Sequence, residues 1–192
     1  MASVSTRRGD DGTTASPGAA RISKGELRVE ASGSVDELKS HLGLARVFCD
    51  DAELAAMVLS LQRELFAVGS AISTKPGGRR EVPEITDAMV ERLDAIVEGL
   101  EATPGIARDW TLPGGTRSSA HFDVARTVCR RAERNAVRCV TAGESLQKNV
   151  LRYLNRLSDV LWLCARVRDA AEGVDARLRD AEHPGPPWSR AW

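Results

Sequence analysis

The sequence has few aromatic residues, no long apolar run and no excess of either charge. Phe, Trp and Tyr make up 4% of its 192 residues, whereas 42% are hydrophobic and 28% are charged, a composition that favours helices over a β-sandwich. Lys plus Arg total 27 and Asp plus Glu total 27, so the net charge of zero argues against a surface built for nucleic acid or an anionic membrane. Any anion site must therefore be local.

The sequence also shows no pattern typical of a membrane span, a secretory signal or a CxxC motif. No apolar run approaches the roughly 20 residues that a transmembrane helix needs, so no membrane span is expected. The stretch MASVSTRRGDDGTTASPG carries basic residues without a following apolar segment, unlike a secretory signal. Cys49, Cys129, Cys139 and Cys164 show no CxxC spacing, which favours reduced buried thiols over metal or disulfide roles. These features predict a cytoplasmic protein with one core.

Apolar periodicity predicts five helices with short connections. Residues 1–30 lack periodicity and are expected to be a loop segment, 31–175 a helical domain, and 176–192 a Pro-rich tail. The first helix is expected from about Asp36, with Ser34 and Asp36 as candidate caps, and the third over about 89–100. The fourth is expected over 117–142, capped by Thr116, and the fifth over 145–171.

The second helix has the clearest core-facing seam. Its apolar residues alternate four and three apart: Leu54, Val58, Leu61, Leu65, Val68 and Ile72. Without a convincing strand anywhere in the sequence, the expected fold is all-α, an antiparallel five-helix bundle.

The fourth predicted helix carries an arginine series in ARTVCRRAERNAVR. Arg126, Arg130 and Arg134 are four residues apart and share a face, with Glu133 nearly on the same side. Like charges along about 12 Å of helix repel one another unless an anion or a carboxylate lies across them. A polyphosphate matches guanidinium groups well, and the alternative is a solvated basic face paired with acidic residues of neighbouring helices.

Two further segments carry polar chemistry. In TRRGDDGTT, residues 6–14, glycines at positions 9 and 12 let backbone amides turn toward an anion, although the segment lacks P-loop spacing and Gly-rich tails are commonly flexible. In YLNRLSD, Asn155 and Asp159 lie four apart within an otherwise apolar helix. If buried, they need hydrogen-bond partners, and an arginine of the fourth helix is the expected one.

Taken together, these segments resemble a known family. TRRGDDGTT, Lys24, RVEASGSVDELKSHLGLAR, LPGGT, ARTVCRRAER and YLNRLSD follow the order and spacing of the PduO-type ATP:cob(I)alamin adenosyltransferases, over about residues 5–170. The resemblance implies a ferritin-like five-helix bundle assembled as a homotrimer, with ATP, Mg²⁺ and cob(I)alamin bound in clefts between subunits. It also implies a cytoplasmic enzyme that works with a reductase and with an adenosylcobalamin-dependent mutase.

The resemblance assigns roles to individual residues. Those matched to the ATP site are Thr6, Arg7, Arg8, Gly9, Thr14, Lys24, Arg130, Arg131, Glu133, Arg134 and Asn155. Asp36 and Arg126 match an ion pair across the subunit interface and, with Arg130, are assigned to catalysis. The corrin ring is expected near LPGG, against Trp110.

Two segments depart from the family pattern. The family usually reads TKxGD where this chain reads TRRGD, and FILPGG where this chain reads WTLPGG, so Trp110 replaces a smaller Phe. The implied reaction is attack of Co(I) on C5′ of ATP with release of triphosphate. It needs alignment and charge stabilisation rather than a protein nucleophile, in agreement with the lack of a Ser/His/Asp or paired-acid pattern.

Two other function classes suit a helical bundle. A nucleic-acid-binding or regulatory module would use the arginines of the fourth helix, but the zero net charge and the lack of interleaved aromatics argue against it. A di-iron bundle needs paired ExxH helices, which His41, His121 and His183 do not supply. His41 follows Glu37 by four residues and is expected to be a helix-surface histidine.

Overall fold

Five helices follow a short hairpin in the computed structural model, which describes residues 5–16, 21–75, 81–106, 109–180 and 182–185. The elements are β1 (Thr13–Thr14), β2 (Ile22–Ser23), α1 (Leu27–Val47), α2 (Ala52–Ser73), α3 (Asp87–Glu101), α4 (Arg117–Thr141) and α5 (Lys148–Ala171). In the hairpin, Thr13 pairs with Ser23 and Thr14 with Ile22 in antiparallel register. The predicted five-helix bundle is confirmed.

Each helix buries an apolar seam against its neighbours. α1 packs against α2 and α4, while α5 packs against α3 and α4, so the core lies among all five helices. Every residue of the seam predicted in α2 is buried. The seam of α5 is buried as well, with Val150, Leu154, Leu157, Leu161 and Cys164 fully enclosed. Residues spaced three and four apart form one stripe on a helix, which is why the pattern alone located the core.

The start of α4 is fixed by its cap. Thr116 Oγ1 accepts a hydrogen bond from the backbone N–H of Ser119, whose Oγ accepts one from the N–H of Thr116. This reciprocal pair satisfies two amides that the helix leaves unbonded. Gly114, at φ 98°, turns the chain into the cap, a conformation that favours glycine. The predicted cap at Thr116 is confirmed.

The predicted start of α1 is wrong. The helix begins at Leu27, so Ser34 and Asp36 lie inside it, and Ser34 Oγ donates to the carbonyl of Glu30 at 2.9 Å. The buried stripe begins early, at Arg28 and Ala31, and tertiary burial outweighs the weak local pattern. α1 therefore reaches into the segment 1–30 expected to be a loop. The sequence also did not predict β1 and β2, because a strand of only two residues is too short to show a hydrophobic periodicity.

The segment after α5 is attached to the loop before α4. The N–H of Leu112 donates to the carbonyl of Ala176 at 2.8 Å, and the N–H of Leu178 donates to the carbonyl of Trp110 at 2.7 Å. The first residues of the predicted tail therefore belong to the bundle, and residues 186–192 lie outside the described residues. α5 itself begins at Lys148, three residues after the predicted start at Ser145.

One helix is more apolar than the sequence analysis expected. By length and composition alone, α2 is apolar enough to cross a membrane, contrary to the expectation that no such run exists. Its seam forms the core of the bundle, which explains its apolar character.

All four cysteines are free, three of them buried, and burial raises the pKa of the Cys139 thiol. Burial is as predicted for Cys129, Cys139 and Cys164, whereas Cys49 is only partly buried.

Arg28 is a buried cation at the start of α1, 2% exposed. Its Nη1 donates to the carbonyl of Ile72 at 2.8 Å, its Nη2 donates to the carbonyl of Ser145 at 2.7 Å, and its Nε contacts Glu144. One guanidinium thus joins α1, the end of α2 and the loop between α4 and α5.

We expect Arg28→Met to lower the free energy of unfolding by about 3 kcal/mol, because it leaves the Glu144 carboxylate and two buried carbonyls without their donor. Urea unfolding followed by circular dichroism measures the loss. Arg63→Met, the same change at an exposed position of α2, is the control and should stay within about 0.5 kcal/mol. An equal effect of both changes would contradict the role of Arg28.

Candidate functional site

The N-terminal hairpin is closed by side chains that bind its own backbone. Arg21 Nε donates to Thr13 Oγ1 at 2.8 Å, and its Nη2 donates to the carbonyls of Thr13 and Arg8. Asp11 Oδ1 accepts from the backbone N–H of Thr13 at 2.9 Å and from its Oγ1 at 2.7 Å. The hydrogen bond from the Thr13 side chain lowers the pKa of Asp11. Residues 8–13 therefore form a defined turn.

Lys24 folds back over this turn. Its Nζ donates to the carbonyl of Gly9 at 2.8 Å and its backbone N–H donates to the carbonyl of Gly12 at 2.9 Å. A Cβ at Gly9 would lie 3.0 Å from that Nζ, so a side chain here would push the flexible end of Lys24 aside. Arg7 takes a φ of 56°, in the left-handed region that residues with a Cβ rarely adopt and that often accompanies ligand sites. The turn thus gathers Gly9, Thr13 and the Lys24 ammonium.

A cavity of about 250 Å³ lies between the hairpin, the first half of α1 and the end of α2. Thr14, Ser16, Arg28, Gly33 and Asp36 contribute to its walls. Ser16 is 7% exposed, and its Oγ has no hydrogen-bond partner among the described residues. A buried hydroxyl without a partner calls for a ligand or an ordered water. The cavity is therefore suited to a polar small molecule.

The arginines of α4 fall into two groups. Arg130 and Arg134 are exposed and make no salt bridge within the described part of the chain, whereas Arg131 pairs with Glu37 of α1. Arg126 is 28% exposed, and its Nε lies 3.9 Å from Asp123 Oδ1. The alternative of a basic face paired with neighbouring helices describes Arg131, whereas Arg130 and Arg134 make no salt bridge among the described residues. The charge of Arg130 nevertheless opposes the rise in the pKa of Asp159 on α5. Two adjacent guanidinium groups remain available to an anion.

The polar pair of α5 contacts α4 in an unexpected way. Asn155 and Asp159 are both exposed, and Asn155 Nδ2 donates to Glu133 Oε1 at 3.1 Å, so its partner is not the expected arginine. Partial burial raises the pKa of Asp159, against the opposing charge of Arg156. The hydrogen-bonded pair of Asn155 and Glu133 thus joins α5 to the helix that carries Arg130 and Arg134.

The predicted site residues form two separate groups. Thr6, Arg7, Arg8, Gly9, Thr14 and Lys24 belong to the hairpin, and Arg130, Glu133, Arg134 and Asn155 belong to α4 and α5. Among the described residues, no hydrogen bond or salt bridge joins the two groups. Asp36 Oδ1 instead pairs with Lys39 Nζ at 2.6 Å, so Asp36 and Arg126 do not meet within one chain.

Trp110 is 48% exposed although its backbone is bonded to the segment after α5. Leu112, two residues on, is 56% exposed. Large apolar side chains that remain in water on a fixed backbone mark a surface suited to a flat apolar ligand.

The described residues include no cluster of three His, Cys, Asp or Glu side chains that would hold a metal ion by themselves. His41 lies 3.8 Å from Glu37 on the surface of α1, as the spacing predicted.

Sequence reasoning missed three residues of this region: Ser16, Arg21 and Arg28. Arg28 was detectable, because it stands three residues before Ala31 on the stripe that continues through Val35 and Leu38. A charge on such a stripe must be buried with partners. Ser16 and Arg21 follow no pattern, and the structure alone reveals them.

Comparison with known proteins identifies the family and supports the fold. The family model described as cobalamin adenosyltransferase matches residues 4–168. A cobalamin adenosyltransferase of Cupriavidus metallidurans is 39% identical over 174 residues, covering 90% of this chain and 91% of the relative. A corrinoid adenosyltransferase of Citrobacter freundii is 35% identical over 177 residues, covering 92% and 100%. A variant PduO-type ATP:corrinoid adenosyltransferase from Lactobacillus reuteri, solved with cobalamin and ATP, is 29% identical with a TM-score of 0.85, covering 92% of this chain and 99% of that one.

Proposed function

The chain belongs to the cobalamin adenosyltransferase family, and we propose how its residues carry out the reaction. The enzyme transfers the 5′-deoxyadenosyl group of ATP to the cobalt of reduced cob(I)alamin, forming adenosylcobalamin and releasing triphosphate. The Co–C bond forms at C5′ as the C5′–O bond breaks, and the triphosphate leaves with that electron pair. The protein must therefore align cobalt with C5′ and neutralise the triphosphate.

The observation that carries the proposal is the hairpin together with its cavity. The cavity of about 250 Å³ has polar walls and the unpartnered Ser16 hydroxyl, which suits the nucleoside of ATP. The hairpin supplies the turned backbone of Gly9, the Lys24 ammonium and the exposed side chains of residues 6–8 for the phosphates. Thr14 belongs to both the hairpin and the cavity wall and connects the two halves of the nucleotide site.

The second group of residues would complete the site from a neighbouring subunit. Among the described residues, Arg130 and Arg134 make no salt bridge. Three exposed valines on α4 offer apolar contact area: Val124, Val137 and Val140. In a homotrimer, these arginines, with Glu133 and Asn155, would face the triphosphate held by the adjacent hairpin. Asp36 would exchange its Lys39 contact for Arg126 of the partner subunit.

Mg²⁺ would enter with ATP. This ion keeps several waters and binds phosphate oxygens with one or two carboxylates, so it needs no cage of protein ligands. The exposed carboxylate of Asp10 on the hairpin fits that requirement. Bound there, Mg²⁺ would supply further positive charge for the leaving triphosphate.

Trp110 would lie against the lower face of the corrin. Cob(II)alamin is easier for a reductase to convert to Co(I) when neither water nor the lower base is bound to cobalt. An apolar aromatic against the lower face would exclude both ligands. The product would pass to an adenosylcobalamin-dependent mutase, and the four free thiols agree with a cytoplasmic location.

The direct test is formation of adenosylcobalamin from chemically reduced cobalamin and MgATP, followed by visible absorbance together with release of triphosphate. We expect equal amounts of the two products. A chain that binds ATP but forms neither product would contradict the assignment and favour a nucleotide-binding regulatory module.

We expect Arg130→Ala to lower kcat/KM by about 100-fold, because the triphosphate loses a charge-assisted contact as it leaves. Sedimentation should show an unchanged trimer, and Arg63→Ala on α2 serves as the activity control. A monomeric Arg130→Ala protein would contradict its role as a ligand.

Asp36→Asn should have the complementary defect, a weakened trimer detected by sedimentation, because the ion pair with Arg126 of the partner subunit is lost.

Gly33→Ala should stabilise α1 by about 0.5–1 kcal/mol and raise the KM for ATP severalfold. No atom lies within 4 Å of a Cβ at this position, and the residue lines the cavity, so the methyl group would occupy ligand space. Gly99→Ala in α3 also meets nothing within 4 Å and should gain similar stability without changing the KM. Equal KM values for the two variants would place the nucleoside elsewhere.

Trp110→Ala should bind ATP normally and lose the spectrum of four-coordinate cob(II)alamin, because about 1.5–3 kcal/mol of apolar contact is removed. Trp110→Phe, which restores the residue usual in the family pattern, should keep that spectrum. Retention of the spectrum and of full turnover by Trp110→Ala would leave this side chain with a packing role alone.

A further inference from the structure

A buried guanidinium lies behind the segment that carries Trp110. The side chain of Arg166, on α5, is 1% exposed. Its Nη2 donates to Asp123 Oδ2 at 2.8 Å, its Nε donates to Asp169 Oδ2 at 2.9 Å, and its Nη1 donates to Thr111 Oγ1. One cation therefore joins α4 and α5 to the residue next to Trp110.

Asp169, one of the two carboxylates, reaches the same loop at a second point. Asp169 is 3% exposed, its Oδ1 has no hydrogen-bond partner among the described residues, and a Cβ built at Gly115 would lie 2.5 Å from that oxygen. Gly115 thus rests directly on Asp169. The network supports the loop on both sides of Pro113, through Thr111 before it and Gly115 after it.

Further contacts anchor the backbone of the loop that carries Trp110. Trp110 and Leu112 bond to the segment after α5, and Asp109 is paired with Arg179. Despite these anchors, the Trp110 side chain remains 48% exposed. A loop residue whose task was to cover the core would be buried, whereas here the backbone is fixed and about half of the side chain stays exposed.

Such a network is an expensive way to gain stability. Two carboxylates and a guanidinium lose their hydration on burial, and apolar residues of similar size commonly stabilise a fold as well or better. What ionic hydrogen bonds add is direction, since the guanidinium donates along fixed axes. The natural reason to retain them is control of the position of Thr111.

We propose that Arg166, held by Asp123 and Asp169, is a positioning residue for the corrinoid step, fixing Thr111 and thereby the direction in which Trp110 meets the corrin. The inference rests on the proposed function through the role given there to Trp110. It concerns the corrinoid and not the nucleotide, because no contact of the network reaches the hairpin or its cavity walls in the described chain.

Thr111→Val tests the contact with little change of shape. The substitution removes the hydroxyl that Arg166 contacts and leaves both carboxylate pairs in place. Thr111→Ser retains the hydroxyl and is the conservative rescue. Thr141→Val is the matched control, since Thr141 is an exposed residue at the end of α4 whose Oγ1 donates to the carbonyl of Val137 at 3.0 Å.

Each variant is loaded with MgATP and cob(II)alamin, and the four-coordinate fraction is measured by absorbance and electron paramagnetic resonance, with KM values for both substrates. We expect Thr111→Val to lower that fraction and raise the corrinoid KM by about fivefold or more, the scale of one lost hydrogen bond. The KM for ATP should stay within about twofold. Thr111→Ser and Thr141→Val should match the unmodified protein.

An unchanged four-coordinate fraction in folded Thr111→Val would overturn the inference, as would a parallel rise in both KM values, which indicates general loosening. If Thr111→Val does not fold, Arg166→Lys takes its place: it keeps the charge beside the carboxylates but a single ammonium cannot reach Thr111 too, so the same selective defect is expected. An unmodified chain that forms no adenosylcobalamin would contradict the proposed function instead.

Discussion

The burial of Arg28 determines where the cavity beside the hairpin, the proposed nucleotide site, can form. A guanidinium at the first turn of α1 must find acceptors when it leaves water, and it finds them on three other pieces of chain, at Ile72, Glu144 and Ser145. These contacts bring the end of α2 and the α4–α5 loop against α1. The cavity lies beside this junction, with Arg28 in its wall, so the structural cation also shapes the binding space.

The remaining polar residues proposed for the site fall into two groups within one chain. The hairpin carries the cations Arg7, Arg8, Arg21 and Lys24, and Arg21 and Lys24 are bonded to its own backbone. In the described part of the chain, Arg130 and Arg134 of α4 make no salt bridge. Adjacent like charges repel by a few tenths of a kcal/mol, a cost that an anion between them removes. In the proposed homotrimer, a triphosphate shared by neighbouring subunits would satisfy both groups at once and would couple assembly to substrate binding.

The parts of this architecture that were predictable from sequence follow from repeated local rules. The seam of α2 and the cap at Thr116 each depend on residues a few positions apart, so their spacing sufficed. The start of α1 was missed because its first turns are held by distant partners rather than by a cap, as the lack of a side-chain cap bond at Glu26 illustrates. The motif residues were identified by resemblance, but their separation into two groups within one chain depends on tertiary placement that no spacing records. The same holds for Arg166, whose partners at 111, 123 and 169 come from three separate segments.

The two segments proposed to face the substrates are held by different physical means. The hairpin is closed by exposed hydrogen bonds among Asp11, Thr13 and Arg21, each worth little in water, so opening it for the proposed entry of ATP and release of triphosphate would cost little. The Trp110 loop is held by a buried ionic network and by backbone bonds on both sides, which resist displacement. Because the reaction uses no protein nucleophile, rate depends on how well cobalt is presented to C5′. Under the proposed function, a rigid segment on the corrin side would give cobalt a fixed position, and a weakly held hairpin on the nucleotide side would allow triphosphate to leave.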